Sequence, residues 1–192
     1  MGNEGSKTQS VTNETMRRIS GKTHFTVEEV QKLYQSFLRV SGDQKEDGKI
    51  DLNEFSLVLG IPSVGFSARV FSAFDTNPNK SLDFEEYCCG LSAISTRASI
   101  EEKAKFCFNV YDIDKNGTIS RDELKEVLEE SLNANLAVQL TPQQLERIIT
   151  NTVKEMDKNG DGSISYEEFL AQAQKNPAIL SCVKVDLANL LQ

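Results

Sequence analysis

Residues 112–123 read DIDKNGTISRDE, and residues 157–168 read DKNGDGSISYEE. Both stretches place an oxygen donor at positions 1, 3, 5, 7, 9 and 12. In the first, Asp112, Asp114 and Asn116 offer side-chain oxygens and Thr118 a backbone carbonyl. Ser120 serves directly or through water, and Glu123 offers two oxygens. In the second, the same places hold Asp157, Asn159, Asp161, Ser163, Ser165 and Glu168. Gly117 and Gly162 stand at position 6, where a sharp turn favours a residue free to take positive φ. Calcium is a hard cation that takes roughly six to eight oxygens, and one tight turn can supply them. The bland reading is an acidic surface turn that binds nothing. Two complete matches, each between helical patterns, count against it.

Working outward, the chain repeats this unit four times as helix, acidic loop with a central apolar residue, and helix. The central residues are Ile50, Leu82, Ile119 and Ile164, each followed four places later by Glu54, Glu86, Glu123 or Glu168. The pattern is that of the EF-hand. In the second loop, DTNPNKSLDFEE (75–86), Asp75, Asn77, Asn79, Ser81, Asp83 and Glu86 occupy the ligand places. Lys80 replaces the position-6 glycine, so Cβ strain and an added positive charge predict weaker binding there. Thr26 with Glu29, Ser99 with Glu102, and Thr141 with Gln144 read as capping boxes that start entering helices. Apolar residues then recur at helical spacing: Val30, Leu33, Phe37; Val70, Phe71, Phe74; Leu145, Ile148, Ile149, Val153, Met156. One hand cannot cover its own apolar face, so hands pair, with Ile50 beside Leu82 and Ile119 beside Ile164. The expected fold is all-α: four EF-hands in two paired lobes, with short two-stranded β ladders between paired loops. The expected division is a flexible N-terminal segment at 1–24, hand pairs at 25–95 and 96–175, and an amphipathic tail at 176–192.

Composition narrows the function. The 192 residues carry a net charge of −8, which argues against nucleic-acid binding through a basic face. No run of about eighteen apolar residues suggests a membrane span. The cysteines, Cys88, Cys89, Cys107 and Cys182, form no CxxC pair, and a reduced cytosolic setting explains them. His24 is the only histidine. With no nucleophile–base pair or phosphate loop, an enzyme is not expected.

The first loop is irregular. Counting twelve back from Glu54 starts it at Asp43 and puts Lys45 at a ligand place. Phe71 and Phe108 each lie four residues before position 1 of their loops. The same rule applied to Phe37 starts the first loop at Ser41 and makes it fourteen residues long. That loop, preceded by LYQSF and containing EDGKIDLNEF, resembles the calcineurin B-like calcium sensors. The resemblance continues through ARVFSAFDTNPNKSLDFEEY, AKFCFNVYDIDKNGTI and QLERIITNTVKEMDKNGDGSISYEEF, over roughly residues 25 to 185. It implies a live first loop in which Ser41 and Lys49 contribute carbonyls, and Asp47 and Glu54 their side chains. Calcineurin B itself is similar, with an ordinary twelve-residue first loop. The chain departs from the plant calcineurin B-like pattern in having Asn3 where many carry cysteine, and in ending NLLQ.

The resemblance implies a calcium sensor and regulatory subunit. Its partner would be the regulatory segment of a Ser/Thr kinase, or the catalytic subunit of a calcineurin-type phosphatase. Gripping an ion with the position-12 glutamate opens a hand and uncovers an apolar groove for a partner helix. Candidate groove residues are Phe37, Phe55, Phe71, Phe74, Leu91, Phe108, Leu124, Leu128 and Phe169, any of which can equally be core. The rival reading is a calcium buffer that barely opens. MGNEGS matches the N-myristoylation pattern at Gly2, so reversible attachment of a cytoplasmic protein to the membrane surface is expected. Lys7, Arg17, Arg18 and Lys22 offer a weak second membrane signal, and Ser20 lies in RRIS, a pattern basophilic kinases accept. In the tail, Ile179, Leu180, Val183, Leu187 and Leu190 share a helical face. It is either a helix packed permanently on the second lobe or a lid over the groove.

Overall fold

The computed structural model describes residues 11–41, 48–60, 64–134 and 140–180. The described helices are α1 (Asn13–Lys22), α2 (Val27–Ser41), α3 (Leu52–Leu59), α4 (Val64–Phe74), α5 (Phe84–Ala93), α6 (Ile100–Tyr111), α7 (Arg121–Ala134), α8 (Pro142–Met156) and α9 (Tyr166–Lys175). Strands β1 (Thr118–Ser120) and β2 (Ser163–Ser165) and a 3₁₀ turn at Pro177–Leu180 complete them. Four hands follow in order: α2 with α3, α4 with α5, α6 with α7, and α8 with α9.

The helices begin where short-range chemistry tells them to. Ser99 accepts the Glu102 amide and Glu102 reaches back to the Ser99 amide, and Thr141 and Gln144 do the same with Pro142 in the first turn. Each box satisfies two of the amides a helix start leaves orphaned. At the loop ends, position 9 and position 12 make the same box again: Asp51 with Glu54, Asp83 with Glu86, and Ser165 with Glu168. The last ligand of each loop is therefore also the third residue of the exiting helix.

The loops pair as expected. Ile50 and Leu82 exchange backbone hydrogen bonds of 3.0 and 2.8 Å, and β1 pairs antiparallel with β2 with Ile119 opposite Ile164. All four central side chains are buried. Val30, Leu33 and Phe37 line the inward stripe of α2, and Val70, Phe71 and Phe74 that of α4. Ile148 departs from the α8 pattern: it is 41% exposed, on the edge of a stripe whose centre is Leu145, Ile149 and Met156.

The lobes share one continuous core. The Phe74 ring meets Phe55 at 4.9 Å in its own lobe and Phe106 at 5.5 Å across the boundary. Gly90 makes this possible, since a Cβ there would stand 2.1 Å from the Phe74 ring. Arg69 of α4 pairs with Glu126 and Glu130 of α7, and Arg97 of the connector pairs with Glu29 of α2 at 2.6 Å.

One expectation needs correction. Residues 13–22, expected within a flexible segment, form a helix capped by Thr12 and packed on the N-terminal lobe. Met16 and Ile19 are buried, and Arg18 and Lys22 both pair with Glu85 of α5, at 2.7 and 2.6 Å. Two apolar residues three apart are too short a pattern to announce a helix. The lobe surface they fill supplies the missing stabilisation.

Candidate metal centre

The third loop is built from the end of α6 and the start of α7. Asp112 caps α6 and turns both carboxylate oxygens into the loop, where they accept the Asn116 and Gly117 amides at 3.0 Å. Asp114 accepts the Asn116 amide at 3.0 Å, and Asn116 accepts the Thr118 amide at 2.8 Å. Gly117 sits at φ 88°, the left-handed conformation expected at position 6. Glu123 bridges the loop: one oxygen accepts the Ile113 and Asp114 amides, at 2.8 and 3.2 Å. The other accepts the Ser120 amide at 2.8 Å and its hydroxyl at 2.7 Å. Carboxylate oxygens of Asp112, Asp114 and Glu123 thus lie within 4.8 Å of one another, with Asp112 and Glu123 buried.

The fourth loop repeats the pattern. Asp157 accepts the Gly160 and Gly162 amides at 2.7 and 2.9 Å, Asn159 the Asp161 amide at 2.9 Å, and Asp161 the Ser163 amide at 2.8 Å. Glu168 accepts the Lys158 and Asn159 amides at 2.8 and 3.3 Å, and the Ser165 amide at 2.9 Å.

In the second loop, Asp75 accepts the Lys80 amide at 2.8 Å and Asn79 the Ser81 amide at 2.9 Å. Glu86 spans the loop to the Thr76 and Asn77 amides at 3.1 and 3.3 Å, and to the Asp83 amide at 3.1 Å. Lys80 takes φ 63°, so a side chain occupies the left-handed position that glycine holds in the third and fourth loops.

Of the first loop, Asp47 lies outside the described residues. Ser41 is buried at the end of α2, Gly48 sits at φ 70°, and Lys49 is exposed just before the Ile50 bridge. Glu54 accepts the Asp51 amide at 2.8 Å with one oxygen. The other is buried with no hydrogen-bond partner among the described residues.

These donor sets fit a hard divalent cation. The ligating atoms are oxygens, and three carboxylates crowded within 4.8 Å repel one another unless a positive charge joins them. Glu123, Asp161 and Glu168 are also held ionised. Burial pushes Glu123 up, but hydrogen bonds from Ser120, Asp114 and Ile113 outweigh it and leave its pKa below the usual carboxylate range. Glu168 is lowered first by the Ser165 amide and then by Lys158, and Asp161 by the Ser163 amide and hydroxyl. A carboxylate must be deprotonated to bind a metal, and these three are favoured in that form.

The candidate groove residues lie together in the core. Phe37, Phe55, Phe71, Phe74, Leu91, Phe108, Leu124 and Phe169 are buried, and Leu128 packs against them partly covered. Rings from the two hands of each lobe pack on one another, as Phe55 does on Phe71 at 5.4 Å and Phe108 on Phe169 at 5.9 Å. Of the tail, Ile179 and Leu180 pack on the core, and the Cys107 thiol donates to the Leu180 carbonyl at 3.6 Å. Val183, Leu187 and Leu190, like Gly2 and Lys7, lie outside the described residues.

Sequence reading missed the second role of the position-12 glutamates. The signal was present in S-R-D-E and S-Y-E-E, which fit the capping-box spacing as well as the loop pattern.

Known proteins share this arrangement of paired loops. Residues 7–59 and 101–174 each match a family described as an EF-hand domain pair. Calcineurin B of Candida glabrata is 39% identical over 147 residues, covering 77% of this chain and 81% of the relative. That of Schizosaccharomyces pombe is 38% identical over 151 residues (79% and 83%), and human calcineurin B type 2 is 35% identical over 149 (78% and 84%).

Proposed function

The chain belongs to the calcineurin B-like family of EF-hand calcium-binding proteins, and from that premise we propose that it is the calcium-sensing regulatory subunit of a protein phosphatase. The observation that carries this reading is the position of Glu123, which closes the third loop and is the third residue of α7. A calcium ion supplies the positive charge around which the loop oxygens gather. Glu123, which accepts the Ile113 and Asp114 amides, would help hold the ion with Asp112 and Asp114, and a shift of its side chain would pass to α7, whose third residue it is. Glu168 stands in the same relation to α9. Rotation of these helices would part rings such as Phe108 and Phe169 and uncover apolar surface for a partner helix.

The names of the relatives support a calcineurin-type catalytic subunit as the partner. A second reading, a Ser/Thr kinase regulatory segment, is favoured by the fourteen-residue register of the first loop. The buried Glu54 oxygen that has no hydrogen-bond partner among the described residues supports a live first loop. Acylation at Gly2 belongs to the proposal on the strength of MGNEGS, with reversible membrane attachment in the cytoplasm as its consequence. The basic second signal is weaker than its sequence suggests, because Glu85 already neutralises part of the charge of Arg18 and Lys22.

Immobilised full-length protein, exposed to cell extract with calcium or with chelator, tests the reading. Calcium-dependent capture of a phosphatase catalytic subunit is expected, and capture of a kinase would establish the second reading instead. An apolar dye should brighten several-fold on calcium addition; no change would mark the protein as a buffer.

A further inference from the structure

Arg17, Arg18, Ile19 and Ser20 form a basic-basic-x-Ser motif on α1 that the calcium reading does not use. The structure gives the motif a definite setting. Arg17 and Arg18 are exposed, Ile19 is fully buried and Ser20 is half-buried. The Ser20 hydroxyl donates to the Phe25 carbonyl at 2.9 Å, across the turn that joins α1 to α2. Thr23 closes the same turn by donating to the Ile19 carbonyl at 2.9 Å. Arg18 and Lys22 meanwhile grip Glu85 on α5. The hydroxyl a kinase would need is thus one of the fastenings that hold α1 to the lobe.

We propose that Ser20 is a phosphorylation site for a basophilic kinase, and that its modification releases α1 from the N-terminal lobe. This inference does not depend on the identity of the calcium-dependent partner. In the reaction, Ser20 Oγ forms a bond to the γ-phosphorus of ATP. The bond from that phosphorus to the bridging oxygen breaks, ADP leaves with the electron pair, and the hydroxyl proton passes to the kinase's base. In-line approach needs Oγ open on the side of attack, and the Phe25 contact and the seated helix do not offer it. The kinase therefore takes the undocked segment, and docking and phosphorylation compete.

The product does not re-dock, for two physical reasons. Ser20 is a donor in the docked state, and phosphorylation removes the proton it donates. In its place comes a group of charge about −1.5 to −2, facing the Phe25 carbonyl oxygen in the last turn of α1. That turn is the negative end of the helix dipole, where an anion is unfavourable. Release frees Arg18 and Lys22 from Glu85 and exposes Met16 and Ile19.

The test uses full-length protein, ATP and the catalytic subunit of a cyclic-nucleotide-dependent kinase, followed by mass-spectrometric mapping and hydrogen exchange of residues 13–22. One phosphate at Ser20 is expected, and none on a Ser20→Ala variant at that place. Amides of α1 should exchange at least tenfold faster after phosphorylation, while α6 and α9 are unchanged. Glu85→Ala and Lys22→Ala lie outside the recognition motif and loosen the seat, so both should raise the labelling rate at least threefold. Absence of phosphate on Ser20 in the unsubstituted protein and in both loosened variants overturns the proposal. So does an unchanged labelling rate in both loosened variants, or a phosphorylated α1 that exchanges as slowly as before.

Discussion

Glu123 accepts hydrogen bonds on both carboxylate oxygens, from the Ile113 and Asp114 amides on one and from Ser120 on the other, so a substitution there tests loop and helix together. In Glu123→Gln the amide group turns N–H toward N–H on one side and removes one of the three carboxylate charges that converge in the loop. Titration calorimetry should show third-loop affinity falling by more than the roughly 10- to 100-fold that loss of an outer partner costs. Lys80 poses the opposite case. Its φ of 63° carries a Cβ penalty of about 1 kcal/mol, which Lys80→Gly removes along with a positive charge in the loop. Second-loop affinity and thermal stability should both rise; a variant that binds calcium no better would leave the weakness of that loop without its cause. Both residues were legible in the sequence, because loop position alone dictates ligand type and backbone conformation.

At the scale of elements, contacts between helices decide what spacing cannot. Gly90 in the middle of α5 reads as a poor helix former, yet it is the place where the Phe74 ring crosses. Gly90→Ala should gain about 1 kcal/mol of helix propensity and lose about 1–3 by overpacking, for a net loss measurable by denaturant unfolding. Phe74 is almost fully buried between Phe55 and Phe106. The α1 helix makes the same point. Its two inward residues, Met16 and Ile19, are too few to be seen as a stripe, and its fixing partner Glu85 lies in the second hand.

Across the whole molecule, the lobes are joined by the shared core and by charge pairs, among them Arg97 with Glu29. The Arg97 guanidinium, hydrogen-bonded to Glu29, and the Thr26 amide hold the Glu29 carboxyl at about 2, well below its ordinary value of 4.5. A depressed carboxylate contributes stability that is present above its unfolded value and is lost as pH falls through its folded one. This contribution therefore fades between about pH 4.5 and 2. Arg97→Ala should bring the Glu29 titration, followed by NMR, back toward the ordinary value and move acid unfolding to higher pH. The shift should be small, because the pair is partly exposed and solvent screens it. Calcium acts on the same whole. At about 100 times its dissociation constant it should add about 2.7 kcal/mol per site, read as a rise in unfolding temperature that chelator reverses.

What could be read without coordinates follows from local rules: four loops, the oxygens in them, the helix starts and the pairing of Ile50 with Leu82 and Ile119 with Ile164. Each depends on residues within a dozen positions of one another, or on a repeat that forces like to pair with like. Folding in three dimensions added what depends on distant neighbours. It packed the candidate groove residues into one core, seated α1 under Glu85, and let Phe74 bridge the lobes over Gly90. Burial is a property of the partner surface as much as of the residue, and a list of side chains does not say which surface will cover which.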